Sequence, residues 1–168
     1  MQVFGKFALR SLCAFCALCG SFGFDPGMLK INQADYELIR REGEHCYPQE
    51  CCGVLLGSAL DGCRTVSLTI ACDNKQADPR RRYSIASERL IEIQKLARAR
   101  DEDIIGFYHS HPDREPHFSP TDLDEANWFD CSYVITSVNQ GQAAETESFV
   151  LTGHENKNFE AEEIQIGR

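Results

Sequence analysis

Two histidines at the end of an apolar run constrain the fold of this chain more than any other feature of its sequence. The run IIGFYH ends at His109, and His111 follows two positions later. Because successive side chains of a strand alternate between its faces, both imidazoles project from the same face of a predicted strand. Ser119 then provides a helix N-cap followed by proline, and Asp122 lies three residues beyond the cap.

These three side chains have the chemistry of a metal site. If the Asp122 carboxylate turns back towards the strand end, two imidazole nitrogens and one carboxylate oxygen face a common point. Three protein ligands with a fourth position left for water are typical of a catalytic zinc site, whereas structural zinc sites are closed. Each part alone also fits an ordinary interpretation, a polar strand end for the histidines and a helix start for Asp122. The joint spacing predicts one zinc ion held by His109, His111 and Asp122.

The periodicity of apolar residues predicts a mixed α/β fold for the rest of the chain. Asn32 is a suitable N-cap for a helix that ends near His45, and Ser87 is a suitable N-cap for a second helix. A third helix is expected over 119–129. We expect strands at 52–57, 64–71, 104–109, 133–137 and 148–151. A turn at Asp61-Gly62 joins the first two strands.

The length of the chain, 168 residues, suits one domain with a substantial core. We expect this domain over 28–152, with 153–168 as a C-terminal tail or an edge strand. Lys6 and Arg10 precede an apolar stretch that resembles a signal peptide, although no small-x-small cleavage site follows and the stretch is short for a membrane span. Residues 1–27 are therefore an export signal, real structure, or a dispensable leader upstream of a start at Met28.

Charge and cysteine content exclude some functions. The net charge of −9 does not favour binding to nucleic acid, whose phosphates require a basic surface. The nine cysteines are odd in number and irregular in spacing, which suits free thiols in a reducing cytoplasm better than a disulfide framework. Cys13, Cys16 and Cys19 have metal-ligand spacing, but nothing near them supplies a fourth ligand. We expect a cytoplasmic protein without membrane association, unless residues 1–27 direct export.

The combined motif resembles that of the JAMM (MPN+) metallopeptidase family, which has a distant glutamate, then His-x-His, seven residues and Ser-x-x-Asp. His109, His111, Ser119 and Asp122 match that pattern position for position. Upstream, the segment PQECCGVLLG resembles the Pro-x-Glu-x-Cys-Gly segment of the family, and Glu50 is the matched catalytic glutamate. The resemblance covers residues 28–151 and is closest to the compact prokaryotic members.

The resemblance implies a cytidine-deaminase-like mixed β-sheet flanked by helices, with one zinc ion per chain. It also implies hydrolysis of amide or isopeptide bonds after the C-terminal Gly-Gly of a ubiquitin-like or sulfur-carrier protein. Zinc lowers the pKa of the water that it binds to about 7, which makes a nucleophile available near neutral pH. Glu50 would take the proton of that water as general base, and Ser119 would donate a hydrogen bond to the developing oxyanion.

Three other interpretations are open at the level of sequence. A zinc deaminase of similar fold requires His-x-Glu and Pro-Cys-x-x-Cys ligands, which this chain lacks at the corresponding segments. A cysteine hydrolase would use Cys51 or Cys52, although no spacing supports it. A non-catalytic MPN-type scaffold would have lost metal ligands, whereas this chain retains them. Beyond these, His117 fits a solvated loop histidine, with contact to substrate as the alternative, and Trp128 is expected in the core.

Overall fold

Seven strands and three helices form the described part of the chain, which comprises residues 27–168 of the computed structural model. In chain order they are β1 Met28–Asn32, α1 Gln33–Cys46, β2 Cys52–Leu60, β3 Cys63–Cys72, α2 Ser87–Ala99, β4 Asp103–Pro112, α3 Pro120–Glu125, β5 Ser132–Asn139, β6 Gln142–Thr152 and β7 Asn158–Gly167. Apart from Gly27, the residues of the expected leader lie outside the described range, as do Cys13, Cys16 and Cys19.

The strands form one closed sheet in the order β1-β3-β2-β4-β5-β6-β7, with β7 paired back to β1. The pairs β1–β3, β1–β7 and β4–β5 are parallel, and the other pairs are antiparallel. This arrangement confirms the predicted mixed α/β fold. Strand β4 carries both histidines of the motif and lies between β2 and β5, so its backbone is hydrogen-bonded on both sides.

The two ends of the folded unit differ from their predictions. We expected 153–168 to be a tail or an edge strand, but β7 pairs with β6 on one side and with β1 on the other. Phe159 of β7 is buried in the core, so the folded unit extends past residue 152 to Gly167. Strand β1 was not predicted, because five residues are too few for a reliable period. In the structure Leu29 and Ile31 of β1 are buried.

The two faces of the sheet bury separate apolar clusters. Helix α1 contacts β1, β3, β4, β5, β6 and β7, and its Ile39 packs in the cluster on one face, which we call the α1 face. Helix α2 covers the other face, which we call the α2 face, through Ile93 and Ala97. Because strand side chains alternate, Phe107 and Tyr108 of β4 lie in different clusters. His109 therefore shares the α2 face with Phe107.

The predicted N-cap of α1 is confirmed, whereas two other helix boundaries were wrong. The Asn32 side chain accepts a hydrogen bond of 2.8 Å from the backbone N–H of Asp35. Helix α2 has Ala86 at its N-cap without a side-chain bond, so Ser87 is the first helical residue and not the cap. The expected turn at Asp61-Gly62 is present, with positive φ values of 49° and 79°.

Helix α3 ends at Glu125, four residues before the expected end at 129. Tertiary contacts of Trp128 explain the early end. Its backbone N–H donates to the Tyr133 hydroxyl at 3.1 Å, and its ring packs edge-on against Phe107 at 5.4 Å between centroids. Lys157 supplies hydrogen bonds to backbone carbonyls of the last helical turn, which a longer helix would have satisfied itself.

The cysteines that the structure describes are all free thiols, namely Cys46, Cys51, Cys52, Cys63, Cys72 and Cys131. Within residues 27–168, no helix combines the length and the apolar character that crossing a membrane requires.

Candidate metal centre

Strand β4 brings its two histidines to one buried point. His109 and His111 are 1% and 2% exposed, and their Nε2 atoms are 3.1 Å apart. Both belong to the stretch of β4 that pairs with β5, and His109 also pairs with Cys52 of β2. The expected projection from the same face is therefore observed, and the rigid, doubly paired strand fixes the separation of the two rings.

Asp122 reaches the same point from the first turn of α3. Its Oδ2 accepts a 2.6 Å hydrogen bond from the backbone N–H of Ser119, and its own N–H donates to Ser119 Oγ at 3.2 Å. The two contacts form a reciprocal capping box. The carboxylate also faces both histidines: its Oδ1 lies 3.6 Å from His109 Nε2, and its Oδ2 lies 3.5 Å from His111 Nε2. One carboxylate thus completes the helix cap and faces both histidines.

The spacing of these donor atoms fits a zinc ion. All three candidate ligand atoms lie within 4.8 Å of one another. With Zn–N and Zn–O bonds near 2.0–2.1 Å, tetrahedral ligand atoms are about 3.3 Å apart. The two Nε2 atoms are 3.1 Å apart, and the nearest carboxylate oxygen is 3.6 Å from His109 Nε2 (Oδ1) and 3.5 Å from His111 Nε2 (Oδ2), so each separation is close to that value. Two imidazoles and one carboxylate also form a donor set that zinc accepts, so the residues fit the metal by geometry and by chemistry.

The electrostatic environment keeps His109 and Asp122 in the protonation states that a metal ligand requires. Burial lowers the pKa of His109 to about 3, although Asp122 opposes this shift. The imidazole is therefore neutral at physiological pH and has a lone pair to donate. Burial alone would raise the pKa of Asp122, but His111, His109 and the hydrogen bonds with Ser119 hold it well below its usual range. The carboxylate is therefore ionised.

Neighbouring groups orient both imidazoles. His111 Nδ1 lies 2.8 Å from the backbone carbonyl oxygen of Glu115, to which it donates, and this places the lone pair of the ring on Nε2. The ring of Tyr83 stacks on His109 with 4.6 Å between centroids and 23° between planes. Tyr83 comes from the loop before α2, so a third segment of the chain covers the candidate centre.

Glu50 lies two residues before the start of β2 and is 1% exposed. Its backbone N–H donates to the Pro79 carbonyl at 2.7 Å, and its carbonyl accepts from Asn74 Nδ2 at 3.1 Å. The loop between β3 and α2 therefore fixes its backbone. Burial raises the pKa of Glu50 to about 7, while His111 and Arg114 act in the opposite direction. A carboxyl group with this pKa can take up and release a proton near neutral pH.

Arg114 and Tyr83 are functional candidates that sequence reasoning missed. Arg114 forms an ion pair with one oxygen of the Glu50 carboxylate. These two residues are 64 positions apart, so no local spacing connects them. Tyr83 lies in a polar loop with no pattern that links it to His109. The only sequence signal was the position of Arg114 in the loop between the two halves of the motif.

A cavity of about 340 Å³ adjoins the candidate centre at Asp122, on the α2 face of the sheet. Its apolar wall consists of Tyr83, Ile85, Leu90, Phe107, Trp128 and Tyr133. Trp128 is thus only partly buried, since it packs on the core and also lines this cavity. His117 is 59% exposed, lies 3.6 Å from Glu147, and is not part of the His109, His111 and Asp122 group.

Comparison with known proteins identifies the family. The model of the prokaryotic homologues of the JAB domain matches residues 32–152, which includes every residue of the candidate centre. The desampylase of Haloferax volcanii is 38% identical over 90 residues. This match covers 54% of the present chain and 63% of the desampylase, so the chain spans less than two thirds of that relative.

Two solved solution structures share the fold. A protein from Salinibacter ruber has 32% identity and a TM-score of 0.64, with 83% of this chain and 92% of that chain covered. A protein from Desulfitobacterium hafniense has 23% identity and a TM-score of 0.73, with 83% and 93% covered. At 23% identity the second likeness bears on the fold alone. Together with the family match over residues 32–152, the motif assigns this chain to the prokaryotic JAB-domain family, the JAMM (MPN+) family that its sequence resembles.

Proposed function

We propose that the chain is a zinc metallopeptidase that hydrolyses amide or isopeptide bonds after the C-terminal Gly-Gly of a ubiquitin-like or sulfur-carrier protein. The observation that carries the proposal is the convergence of three candidate ligand atoms within 4.8 Å, two of them on buried histidines, with the Glu50 carboxyl buried beside them. The likeness to a desampylase supports a ubiquitin-like protein as the substrate. Zinc, when bound, would polarise the scissile carbonyl and lower the pKa of water.

The residues of the chain divide the remaining tasks among them. His109, His111 and Asp122 hold the metal, with their orientation fixed by β4 and by the capping box. Glu50 takes the proton of the attacking water and passes it to the leaving amine, a role that suits a carboxyl group with a pKa of about 7. Ser119 Oγ accepts the Asp122 N–H, which leaves the hydroxyl hydrogen available to donate to the oxyanion.

Three finer expectations belong to the same proposal. The first is a cytidine-deaminase-like arrangement of the mixed sheet and its flanking helices. We also retain one zinc ion per chain. The cytoplasm is the compartment that suits nine cysteines, of which the described ones are free thiols.

The first experiment is mass spectrometry of a Gly-Gly carrier protein with a C-terminal extension, incubated with the zinc-loaded full chain. We expect cleavage directly after Gly-Gly, and a loss of rate of about 10²- to 10⁴-fold in Glu50→Gln at unchanged zinc content. A chelator should also stop the reaction. Glu155→Gln, at an exposed position in the β6–β7 turn, is the matched control and should cleave as the wild type does. A zinc-loaded protein that cleaves no such substrate would instead favour the MPN-type scaffold.

A further inference from the structure

We propose that Arg114 is a positioning residue that holds Glu50 in its working orientation, an inference that rests on the proposed function. Arg114 lies in the loop after β4, and its guanidinium pairs with Oε1 of Glu50. The other oxygen, Oε2, is buried and has no hydrogen-bond partner among residues 27–168. The ion pair thus engages one carboxylate oxygen and leaves the second as the available proton acceptor.

The difference in exposure between the two side chains supports this role. Glu50 is 1% exposed, whereas 38% of the Arg114 side chain is exposed. A buried carboxylate without a partner is costly, and the guanidinium offsets that cost while keeping its own solvation. The titratable and charged groups around Glu50 are His111 from β4, Asp122 from α3 and Arg114 from the loop. Arg114 is the member of this set that is not a candidate metal ligand.

The loop that carries Arg114 is itself firmly anchored. The backbone carbonyl of Arg114 accepts a 2.7 Å hydrogen bond from Ser137 Oγ of β5. The preceding residue, Asp113, accepts from the Gln140 N–H at 2.8 Å and from the Tyr47 hydroxyl at 2.9 Å. The following residue, Glu115, accepts from His111 Nδ1 at 2.8 Å. Consecutive residues of one anchored loop therefore orient the proposed base and one proposed metal ligand relative to each other.

The experiment compares Arg114→Met and Arg114→Lys in the zinc-loaded full chain, with Arg100→Met as the matched control. Arg100 is 41% exposed and pairs with Glu102, so its substitution also removes a half-exposed ion pair. We expect Arg114→Met to lower kcat about 10- to 100-fold with KM little changed and with one zinc retained. Arg114→Lys keeps the charge without the planar fork and should fall between Arg114→Met and the wild type.

A second readout does not depend on activity. In zinc-loaded protein with ¹³C-labelled glutamate, the carboxyl resonance of Glu50 is assigned by its loss in Glu50→Gln and followed against pH. Removal of a neighbouring cation disfavours the carboxylate, so this resonance should titrate about 1 unit higher in Arg114→Met than in the wild type. The acidic limb of the kcat/KM profile should move in the same direction.

Two results would overturn the inference. Equal or faster cleavage by Arg114→Met would mean that the arginine does not assist Glu50, and an unchanged Glu50 titration would mean that the two groups are not coupled in the zinc-loaded protein. A wild type that cleaves no Gly-Gly substrate, together with the expected change in titration, would reject the proposed function and uphold the coupling between Arg114 and Glu50.

Discussion

A single carboxylate joins the fold and the candidate chemistry at the residue scale. Asp122 closes the capping box with Ser119 and also faces His109 and His111 at 3.6 and 3.5 Å. The cap determines where the carboxylate points, so the first turn of α3 orients a candidate metal ligand. The cap and the proposed metal site would use different properties of the side chain, because the cap requires an acceptor oxygen whereas zinc binding would also use its negative charge.

Substitution of Asp122 by asparagine should separate these roles. The amide oxygen can still accept the Ser119 N–H, whereas the anionic ligand is lost. We expect Asp122→Asn to lose most of its bound zinc, while its free energy of unfolding in the presence of chelator stays close to that of the wild type. Metal analysis after gel filtration and denaturant unfolding provide the two measurements. Full zinc occupancy in this variant would show that Asp122 is not a ligand.

Ser119→Ala should give the complementary result for stability. The substitution removes the oxygen that accepts the Asp122 N–H, and loss of such a cap costs about 1 kcal/mol. We therefore expect a lower free energy of unfolding with zinc retained, together with a decrease in kcat if the hydroxyl also donates to the oxyanion. Unfolding with chelator present measures the cap, and steady-state kinetics measure the second role. A variant as stable as the wild type would contradict the cap.

The residues of the motif could be predicted from the sequence because their geometry is local. A strand fixes the relation between His109 and His111, and a helix start fixes that between Ser119 and Asp122. Only the approach of Glu50 required the family resemblance. Arg114 was not predictable, because its contact with Glu50 exists only after distant segments have folded together.

At the scale of elements, the close approach of α1 to the sheet depends on Gly43. A Cβ at this position would lie 2.9 Å from Val138 Cγ2 and 3.3 Å from Ser110 Cβ. Ser110 Oγ in turn accepts the backbone N–H of Cys51, next to Glu50, at 2.9 Å. The helix therefore packs directly behind the strand segments that carry the candidate site.

Gly43→Ala should destabilise the protein, although the same change stabilises most helices. Alanine in a helix interior is usually favoured over glycine by 0.5–1 kcal/mol, but the contact with the stiff Val138 side chain should outweigh that gain by about 1 kcal/mol. Chemical denaturation measures the effect. The exposed helix residue Gln94→Ala, on α2, is a control for intrinsic propensity and should be neutral or slightly stabilising. An increase in stability for Gly43→Ala would contradict the close packing.

Element boundaries were predicted less well than element types. The helix after Asn32 and the strands around the histidines follow clear periods and caps, and they are present. The end of α3 was wrong because Trp128 is held by Tyr133 and Phe107, contacts that local pattern does not contain. The prediction of a tail or an edge strand for β7 was wrong for the same reason, since its partner β1 lies at the other end of the described chain.

At the scale of the whole molecule, a buried ion pair ties together three strands near the closure of the sheet. Arg64 of β3 pairs with Glu162 of β7 at 2.7 Å, and Ser148 Oγ of β6 donates to the other Glu162 oxygen at 2.7 Å. The two charged side chains are 7% and 0% exposed. Burial raises the pKa of Glu162, while Ser148 and Arg64 oppose the shift.

Arg64→Met should destabilise the protein by about 3–5 kcal/mol, because it leaves the Glu162 charge buried without its ion-pair partner. Addition of Glu162→Leu should recover most of that loss, since a well-packed apolar pair can replace a buried ion pair at little cost. Denaturant unfolding of the two single variants and the double variant measures the coupling. Strictly additive losses would show that the two side chains do not depend on each other.

Trp128 is the sole tryptophan of the chain and lines the cavity beside Asp122. Excitation at the red edge of protein absorbance therefore selects one indole, and no second tryptophan contributes background emission. The chain thus contains an intrinsic fluorophore at the border of its candidate centre. Its emission wavelength and quenching report on solvent access to that cavity without any attached label.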